Sequence, residues 1–128
     1  MTPVNSDKYA ESLMQRVGEA RVVEKLDVSV GDWKPQRNMC HHNVTYFCEN
    51  NPDWVPVRGW LYFDLQGLDI SKFMSHSIVR DPAGAYWDIT PLVASQDYPF
   101  VTGDLSEDEY ADLVETQGCS ELYPRKHS

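Results

Sequence analysis

The sequence predicts an α+β domain in which helices pack on a small antiparallel sheet. Two observations support this fold class: helical periodicity in three separate stretches, and three segments between residues 55 and 90 that are rich in Val, Ile, Phe, Tyr and Trp. A hydrophobic fraction of 41% and a charged fraction of 24% are typical of a folded globular chain. The 128 residues fit a single domain over 1–128.

The first helix is predicted over residues 6–26. Asn5 or Ser6 can cap its first turn, and Gly18 weakens its middle enough for a break there. Residues 27–37 contain turn formers and are expected to connect this helix to the next one.

The second helix is predicted over residues 39–50, with Asn38 as its N-cap. Its apolar positions follow helical spacing and include Cys40, Val44, Phe47 and Cys48. Cys40 is therefore expected in the first turn, on the face that meets the rest of the protein.

The third helix is predicted from its start signal. Ser106 and Glu109 have the spacing of a capping box, and Gly118 is placed to end the helix. The tail that begins at Cys119 is expected to be an extended surface segment.

Strands are predicted over residues 55–65, 72–80 and 85–90, and the last two are expected to form a hairpin. A two-residue loop would put His76 and Asp88 on opposite faces. The Pro-Ala-Gly sequence over residues 82–84 favours a three-residue loop, in which Asp81 pairs with Ala85. His76 then faces Thr90, and His76 and Asp88 become diagonal neighbours on one face.

Cys40, His76 and Asp88 are the candidate catalytic residues. Thiol chemistry needs a thiolate, a base that produces it and a group that orients the base. The first turn of a helix lowers a cysteine pKa, because free backbone N–H groups and the helix dipole stabilise the anion. Asp81 competes with Asp88 as the partner of His76, but it fits better as the first residue of the turn.

The order Cys, His, Asp resembles the papain-like thiol hydrolase group, which includes cell-wall endopeptidases, transglutaminase-like proteins and glutamine deamidases. The chain is also similar to a set of small bacterial proteins of unassigned activity. The stretch that carries the resemblance is 36–91, and its motifs are Pro35-Gln36-Arg37-Asn38-Met39-Cys40-His41-His42-Asn43, Gly59-Trp60, His76-Ser77-Ile78-Val79 and Asp88-Ile89-Thr90-Pro91.

The resemblance implies a papain-like or transglutaminase-like core, in which the nucleophile opens a helix packed on an antiparallel sheet and the His and Asp lie on neighbouring strands. The first functional hypothesis is a cysteine-dependent hydrolase or acyl transferase that acts on a peptide or protein amide, as in a peptidase, amidase or glutamine deamidase, without a cofactor. Gln36 and Asn43 are candidate oxyanion helpers. Gln36 lies four residues before Cys40, closer than the oxyanion glutamine of papain-like proteases.

Two other functions remain open. The chain could be an inactive, acidic protein-binding module, whose acidic residues on the third helix engage a basic partner: Asp104, Glu107, Asp108, Glu109, Asp112 and Glu115. It could instead bind a metal ion through Cys40, His41, His42 and His76. Consecutive helical residues point about 100° apart and no zinc motif is present, so no metal ligand is predicted.

Composition also limits the partners. The formal charge of −9 disfavours binding to nucleic acid. No apolar run is long enough to predict a membrane span. Three irregularly spaced cysteines and the absence of a signal-peptide pattern predict a reducing, cytoplasmic location.

Overall fold

A computed structural model describes residues 3–91 and 98–126. The helices are α1 (Ser6–Gln15), α2 (Cys40–Asn50) and α3 (Glu107–Ala111). The strands are β1 (Val55–Asp64), β2 (Ser71–Arg80), β3 (Tyr86–Trp87), β4 (Phe100–Thr102) and β5 (Glu121–Leu122). This mixture of helices with an antiparallel sheet confirms the predicted α+β class.

The sheet is built on one long hairpin. β1 and β2 pair along their whole length, from Val55 opposite Arg80 to Asp64 opposite Ser71. β4 adds to β1, while β3 and β5 both add to the other edge of β2. β3 pairs with Val79 and Arg80, and β5 pairs with Phe73 and Met74. His76 therefore lies between the two short strands, where the outer edge of β2 is interrupted.

Two apolar clusters form the core. The larger one joins α1, α3 and β5 to the centre of the sheet, and its fully or almost fully buried members include Tyr9, Leu13, Trp60, Phe73, Tyr110, Leu113 and Leu122. The smaller one packs α2 against the end of β2, with Val44, Phe47, Val79 and Ile89 buried. Because Phe73 and Val79 have the same parity in β2, both clusters lie on the same face of that strand.

The first helix is shorter than predicted. Asn5 caps it by accepting a hydrogen bond from the Lys8 N–H, but α1 ends at Gln15 and only a 3-10 turn follows at Val17–Glu19. The prediction of a helix to residue 26 is wrong because the chain from Arg21 onward is extended. Its backbone groups hydrogen-bond to Phe100 and Asp88 instead of to a preceding helical turn.

The start of α2 also differs from the prediction. Asn38 has a left-handed backbone with φ of 61°, and Met39 occupies the N-cap position without a side-chain hydrogen bond to the helix. The prediction of Asn38 as the N-cap is therefore wrong. An asparagine tolerates the left-handed conformation, so Asn38 makes the turn that leads into the helix.

The predicted hairpin register is confirmed. The Asp81 N–H donates to the Ala85 carbonyl at 2.8 Å, and Gly84 has a positive φ of 92°. The strand after the turn is shorter than predicted, because it ends at Trp87. Asp88 leaves the β2 ladder and hydrogen-bonds through its backbone to Glu24 and Leu26.

The capping box that starts α3 is confirmed by hydrogen bonds in both directions between Ser106 and Glu109. A wider π turn, Asp112–Thr116, extends the helix, and Gly118 with φ of 72° follows it. The tail from Cys119 is extended as predicted, but over the part described it does not lie wholly on the surface. β5 joins the sheet and Leu122 is buried, because this apolar side chain completes the larger core cluster.

Candidate active site

Cys40 is the first residue of α2. The Asn43 N–H makes the first helical hydrogen bond, to the Met39 carbonyl at 2.8 Å. The backbone N–H groups of the three residues before Asn43 belong to the first turn, where a helix has no internal acceptor for them. Negative charge on the Cys40 sulfur is therefore favoured by its position in the helix.

The interruption of the sheet forms a cleft beside Cys40. The cavity has a volume of about 670 Å³. On one side it is bounded by Thr90 and Pro91, which follow β3, and on the other by Ser120 and Glu121 at β5. Cys40 and His76 both line it, together with apolar side chains that include Met39, Leu61 and Met74.

His76, which lines the cleft, forms a buried pair with Asp88. His76 Nε2 lies 2.7 Å from Asp88 Oδ2, and the two residues are 5% and 3% exposed. The Thr90 N–H donates to Asp88 Oδ1 at 3.1 Å. Lys25 Nζ donates to Oδ2 at 2.8 Å, so both carboxylate oxygens are occupied. This arrangement fixes the orientation of the imidazole ring.

The Cys40 thiol is held by two histidines. Burial acts to raise its pKa, but hydrogen bonds with His41 and His76, and the charge of the imidazoles, lower the pKa of Cys40 to about 6. With Nε2 of His76 bonded to Asp88, Nδ1 is the ring nitrogen left for the sulfur.

The pKa of His76 shifts in the opposite direction to that of Cys40. Burial acts to lower its pKa, but hydrogen bonds with Asp88 and Cys40 and their negative charges raise the pKa of His76 to about 9. Both shifts favour the state in which the proton lies on the imidazole and the sulfur is a thiolate, so near neutral pH a thiolate–imidazolium pair is favoured over a thiol and a neutral imidazole.

The packing around His76 depends on a glycine in β1. Gly59 lies directly opposite His76 in the ladder, and the Phe100 ring packs against His76 at 6.2 Å between centroids. A Cβ at position 59 would collide with this ring and with the Val101 carbonyl. Glycine at this position therefore allows β4 and Phe100 to close over the imidazole.

Gln36 and Asn43 do not line the cleft as oxyanion donors. The exposed Gln36 side chain donates to the Lys34 carbonyl at 3.3 Å. Asn43 is fully buried, and its amide exchanges hydrogen bonds with the backbone of Gln36 and donates to Thr90 Oγ1 at 3.1 Å. The structure thus gives no support to the predicted oxyanion role. Asn43 instead ties the loop before α2 to the segment that carries Asp88.

Asp81 is a turn residue and does not compete for His76. Its carboxylate accepts the N–H groups of Ala83 and Ala85 at 2.9 Å and the Trp87 indole N–H at 2.8 Å. The hydrogen bond from the Trp87 indole lowers the Asp81 pKa, together with those from the turn backbone. The choice of Asp88 over Asp81 as the imidazole partner agrees with these contacts.

Sequence reasoning missed Lys25 and His41. Lys25 was assigned to the first helix, and no local pattern indicates that it reaches Asp88. His41 follows the candidate nucleophile directly, and its Nδ1 lies 2.6 Å from Ser77 Oγ. Its position next to Cys40 was the available signal, but the partner on β2 becomes evident only once α2 packs on the sheet.

The structure also bears on the residues that the other two functions, metal binding and binding of a basic partner, would require. In the parts of the chain that the structure describes, no group of three or more His, Cys, Asp or Glu side chains is arranged to hold a metal ion. On the acidic helix, Glu107 pairs with Arg58 at 3.0 Å and Glu109 closes the capping box. These two carboxylates therefore have partners within the chain.

No family model matches this chain, and neither a curated protein nor a solved structure matches it. Over residues 3–91 and 98–126, none of the helices is long and apolar enough to cross a membrane.

Proposed function

We propose that the protein is a cysteine-dependent hydrolase or acyl transferase that acts on an amide bond. The observation that carries the proposal is that Cys40 and His76 line the same cleft, with the His76 imidazole 2.7 Å from Asp88 Oδ2. A nucleophile at a helix start, a base beside it and a carboxylate that orients the base are the parts of a thiol acyl-transfer site. They also favour a papain-like core as the fold family.

Acylation begins from the thiolate–imidazolium pair. The Cys40 sulfur attacks the carbonyl carbon, forming a C–S bond while the carbonyl π electrons move to oxygen. The backbone N–H of Cys40, free at the start of α2, is the donor for that oxygen. His76 then gives its proton to the leaving amine as the C–N bond breaks, and Asp88 holds the ring in position.

Release of the acyl group reverses these roles. His76, now neutral, takes a proton from water, and the resulting hydroxide attacks the thioester carbonyl. The C–S bond breaks and the thiolate–imidazolium pair is restored. An amine in place of water would give acyl transfer. The cleft beside Cys40 carries apolar side chains, which suit a peptide or protein amide over a small charged molecule.

The test is capture of the acyl-enzyme. The protein is incubated with p-nitrophenyl butyrate, quenched in acid and analysed by intact and peptide mass spectrometry. One butyryl group on Cys40 is expected, with the label lost in His76→Ala and retained in a Cys48→Ala, Cys119→Ala double variant. A label spread evenly over the three cysteines, or unaffected by His76→Ala, would contradict the proposal. Release of ammonia or amine from peptide and glutamine amides then identifies the amide class.

A further inference from the structure

His41 follows Cys40 directly and lines the same cleft, but it has no part in the steps above. Its half-buried ring lies between two hydroxyl groups of β2, with Nδ1 2.6 Å from Ser77 Oγ and Nε2 3.2 Å from Ser75 Oγ. The ring also packs edge-on against Tyr110, with 5.7 Å between centroids. A histidine held on both nitrogens has a fixed orientation, and its tautomer depends on which neighbour donates.

Arg58 determines the direction of these hydrogen bonds. Its Nη1 donates to Ser77 Oγ at 2.9 Å, and a guanidinium can only donate. Ser77 is fully buried, and its single hydroxyl proton is free to point at the short 2.6 Å contact with His41 Nδ1. Nδ1 then accepts, so the proton of the neutral ring resides on Nε2.

The Nε2 proton is the one that His41 can donate in a hydrogen bond to a group of the active site. Its contact with Ser75 Oγ, at 3.2 Å, is longer than the one on Nδ1. Cys40 and His41 line the same cleft, and a hydrogen bond with His41 acts to lower the Cys40 pKa. A donor beside a thiolate makes a charge-assisted hydrogen bond, which is stronger than one between neutral groups.

We propose that Arg58, Ser77 and His41 form a relay that holds the His41 ring as the Nε2–H tautomer and makes it a second hydrogen-bond donor to the Cys40 thiolate. The proposal rests on the thiol-enzyme function and adds a residue to that site. His41 and His76 then have different tasks. Ser77 occupies Nδ1 of His41, so this ring donates without abstracting a proton, while His76 carries out the proton transfers.

The charged and titratable groups around His41 come from four elements. They are Cys40 on α2, Arg58 on β1, His76 on β2 and Tyr110 on α3, with Glu107 reached through Arg58. Arg58 is itself held in place, because its guanidinium donates to Glu107, Thr45 and the His41 carbonyl as well as to Ser77. The relay therefore starts from a fixed cation.

Imidazole ¹⁵N NMR of the whole protein at neutral pH tests the tautomer without altering the site. His41→Gln identifies the signals of the ring. The expected result is a protonated Nε2 and an unprotonated Nδ1, with Ser77→Ala shifting the ring towards a mixture of tautomers. A proton on Nδ1 in the unmodified protein, or the same spectrum in Ser77→Ala, would overturn the relay.

Alkylation by iodoacetamide tests the donor role. His41→Leu removes the N–H and is expected to slow Cys40 alkylation at pH 5, below the Cys40 pKa of about 6, by about tenfold, the effect of raising a thiol pKa by about one unit. His41→Gln keeps an N–H donor and is expected to restore most of the rate. Cys48 and Cys119 in the same molecules, and Glu49→Gln on the exposed side of α2, serve as controls.

The two proposals fail in distinguishable ways. If Cys40 of the unmodified protein reacts no faster than Cys48 and Cys119, the thiol-enzyme function is lost and the donor role with it. If Cys40 reacts fast and His41→Leu leaves that rate unchanged, only the relay is overturned. A His41→Gln variant as slow as His41→Leu, with unchanged circular dichroism, would also overturn it.

Discussion

Two buried regions of the molecule, one around Trp60 and one around His76, differ in the kind of side chain that they bury. The larger core cluster, around Leu13, Trp60 and Phe73, is apolar, and its two hydroxyls are satisfied within it. Tyr9 accepts the Trp60 indole N–H at 3.0 Å, and Tyr110 donates to the Gly59 carbonyl at 2.7 Å. This region lowers the free energy of the fold by removing apolar surface from water.

Charged and polar side chains form one part of the region around the cleft. We call this part the polar gap and define it as Cys40, His41, Ser75, His76, Ser77 and Asp88. It lies where β3 and β5 leave the edge of β2 interrupted, and its pKa shifts favour a thiolate at Cys40 and an imidazolium at His76, which contacts the Asp88 carboxylate. Buried ion pairs add little net stability, because desolvation offsets their attraction. The comparison therefore predicts that stability and reactivity respond to different substitutions.

Cys40→Ala is expected to have the largest effect, and only on reactivity. Removing the nucleophile should reduce acyl turnover at least about a thousandfold. The free energy of unfolding should change by no more than about 1 kcal/mol, because His76 keeps its contact with Asp88. Turnover and urea unfolding of the same preparation measure both. A large loss of stability with turnover retained would reverse the assignment of the two regions.

Leu13→Ala is expected to have the converse effect, lowering stability and leaving reactivity nearly unchanged. Leu13 is fully buried in the larger core cluster, so its truncation should lower the free energy of unfolding by about 2–5 kcal/mol. The alkylation rate of Cys40 in the folded variant should stay within about twofold, because the site's contacts are untouched. Leu68→Ala, at a position that is 56% exposed, is the matched control and should cost less than about 0.5 kcal/mol.

Asp88→Asn is expected to impair the site and alter the acid response of the fold. The amide no longer stabilises the imidazolium, so turnover should fall by about a hundredfold. Burial acts to raise the Asp88 pKa, but hydrogen bonds and charges from His76 and Lys25 hold that pKa below its ordinary value.

The pH dependence of stability follows from that direction. The carboxylate's contribution is present above the ordinary aspartate pKa of about 3.9 and is lost as the pH falls through the lower folded value. The unfolding free energy of the unmodified protein should therefore decrease on acidification below about pH 4, and that of Asp88→Asn should decrease less. Parallel acid titrations by circular dichroism measure the difference. Identical curves would contradict the contacts assigned to Asp88.

Lys25→Met should have the smallest effect. The Lys25 side chain is 43% exposed, and a partly exposed ion pair contributes no more than about 1 kcal/mol. Without its charge, Asp88 should hold the imidazole proton more tightly, so the alkaline limit of turnover should move to higher pH. Lys8→Met on α1 is the control and should leave the profile unchanged. A shift to lower pH would mean that Lys25 does not act through Asp88.

Short-range chemistry made parts of this structure predictable from the sequence. The turn from Asp81 to Ala85 fixed the register that brings His76 and Asp88 together, and the Ser106–Glu109 spacing located α3. In both cases the decisive contacts join residues only a few positions apart. Cys40 could be placed in a first helical turn from the helical spacing of the apolar residues that follow it, although the predicted N-cap of that helix is wrong.

The remaining features depend on contacts between residues that are far apart in the sequence. Lys25 reaches Asp88 across 63 positions, and Ser77 meets His41 across 36. β5 becomes a strand because Leu122 completes the larger core cluster, which no local pattern around Cys119 indicates. The proximity of Cys40 to His76 belongs to this group too, since it requires α2 to pack over the interrupted edge of β2.

The most direct test is the pH dependence of Cys40 alkylation in the unmodified protein, with Cys48 and Cys119 as internal references. The thiolate–imidazolium pair predicts that Cys40 reacts first, with a midpoint set by its pKa of about 6, and that His76→Ala moves this midpoint upward. Burial acts to raise the pKa of Cys48, so that thiol should titrate later. If Cys40 instead titrates together with Cys119, and His76→Ala leaves its midpoint unchanged, Cys40 is not an activated nucleophile and the proposed function is wrong.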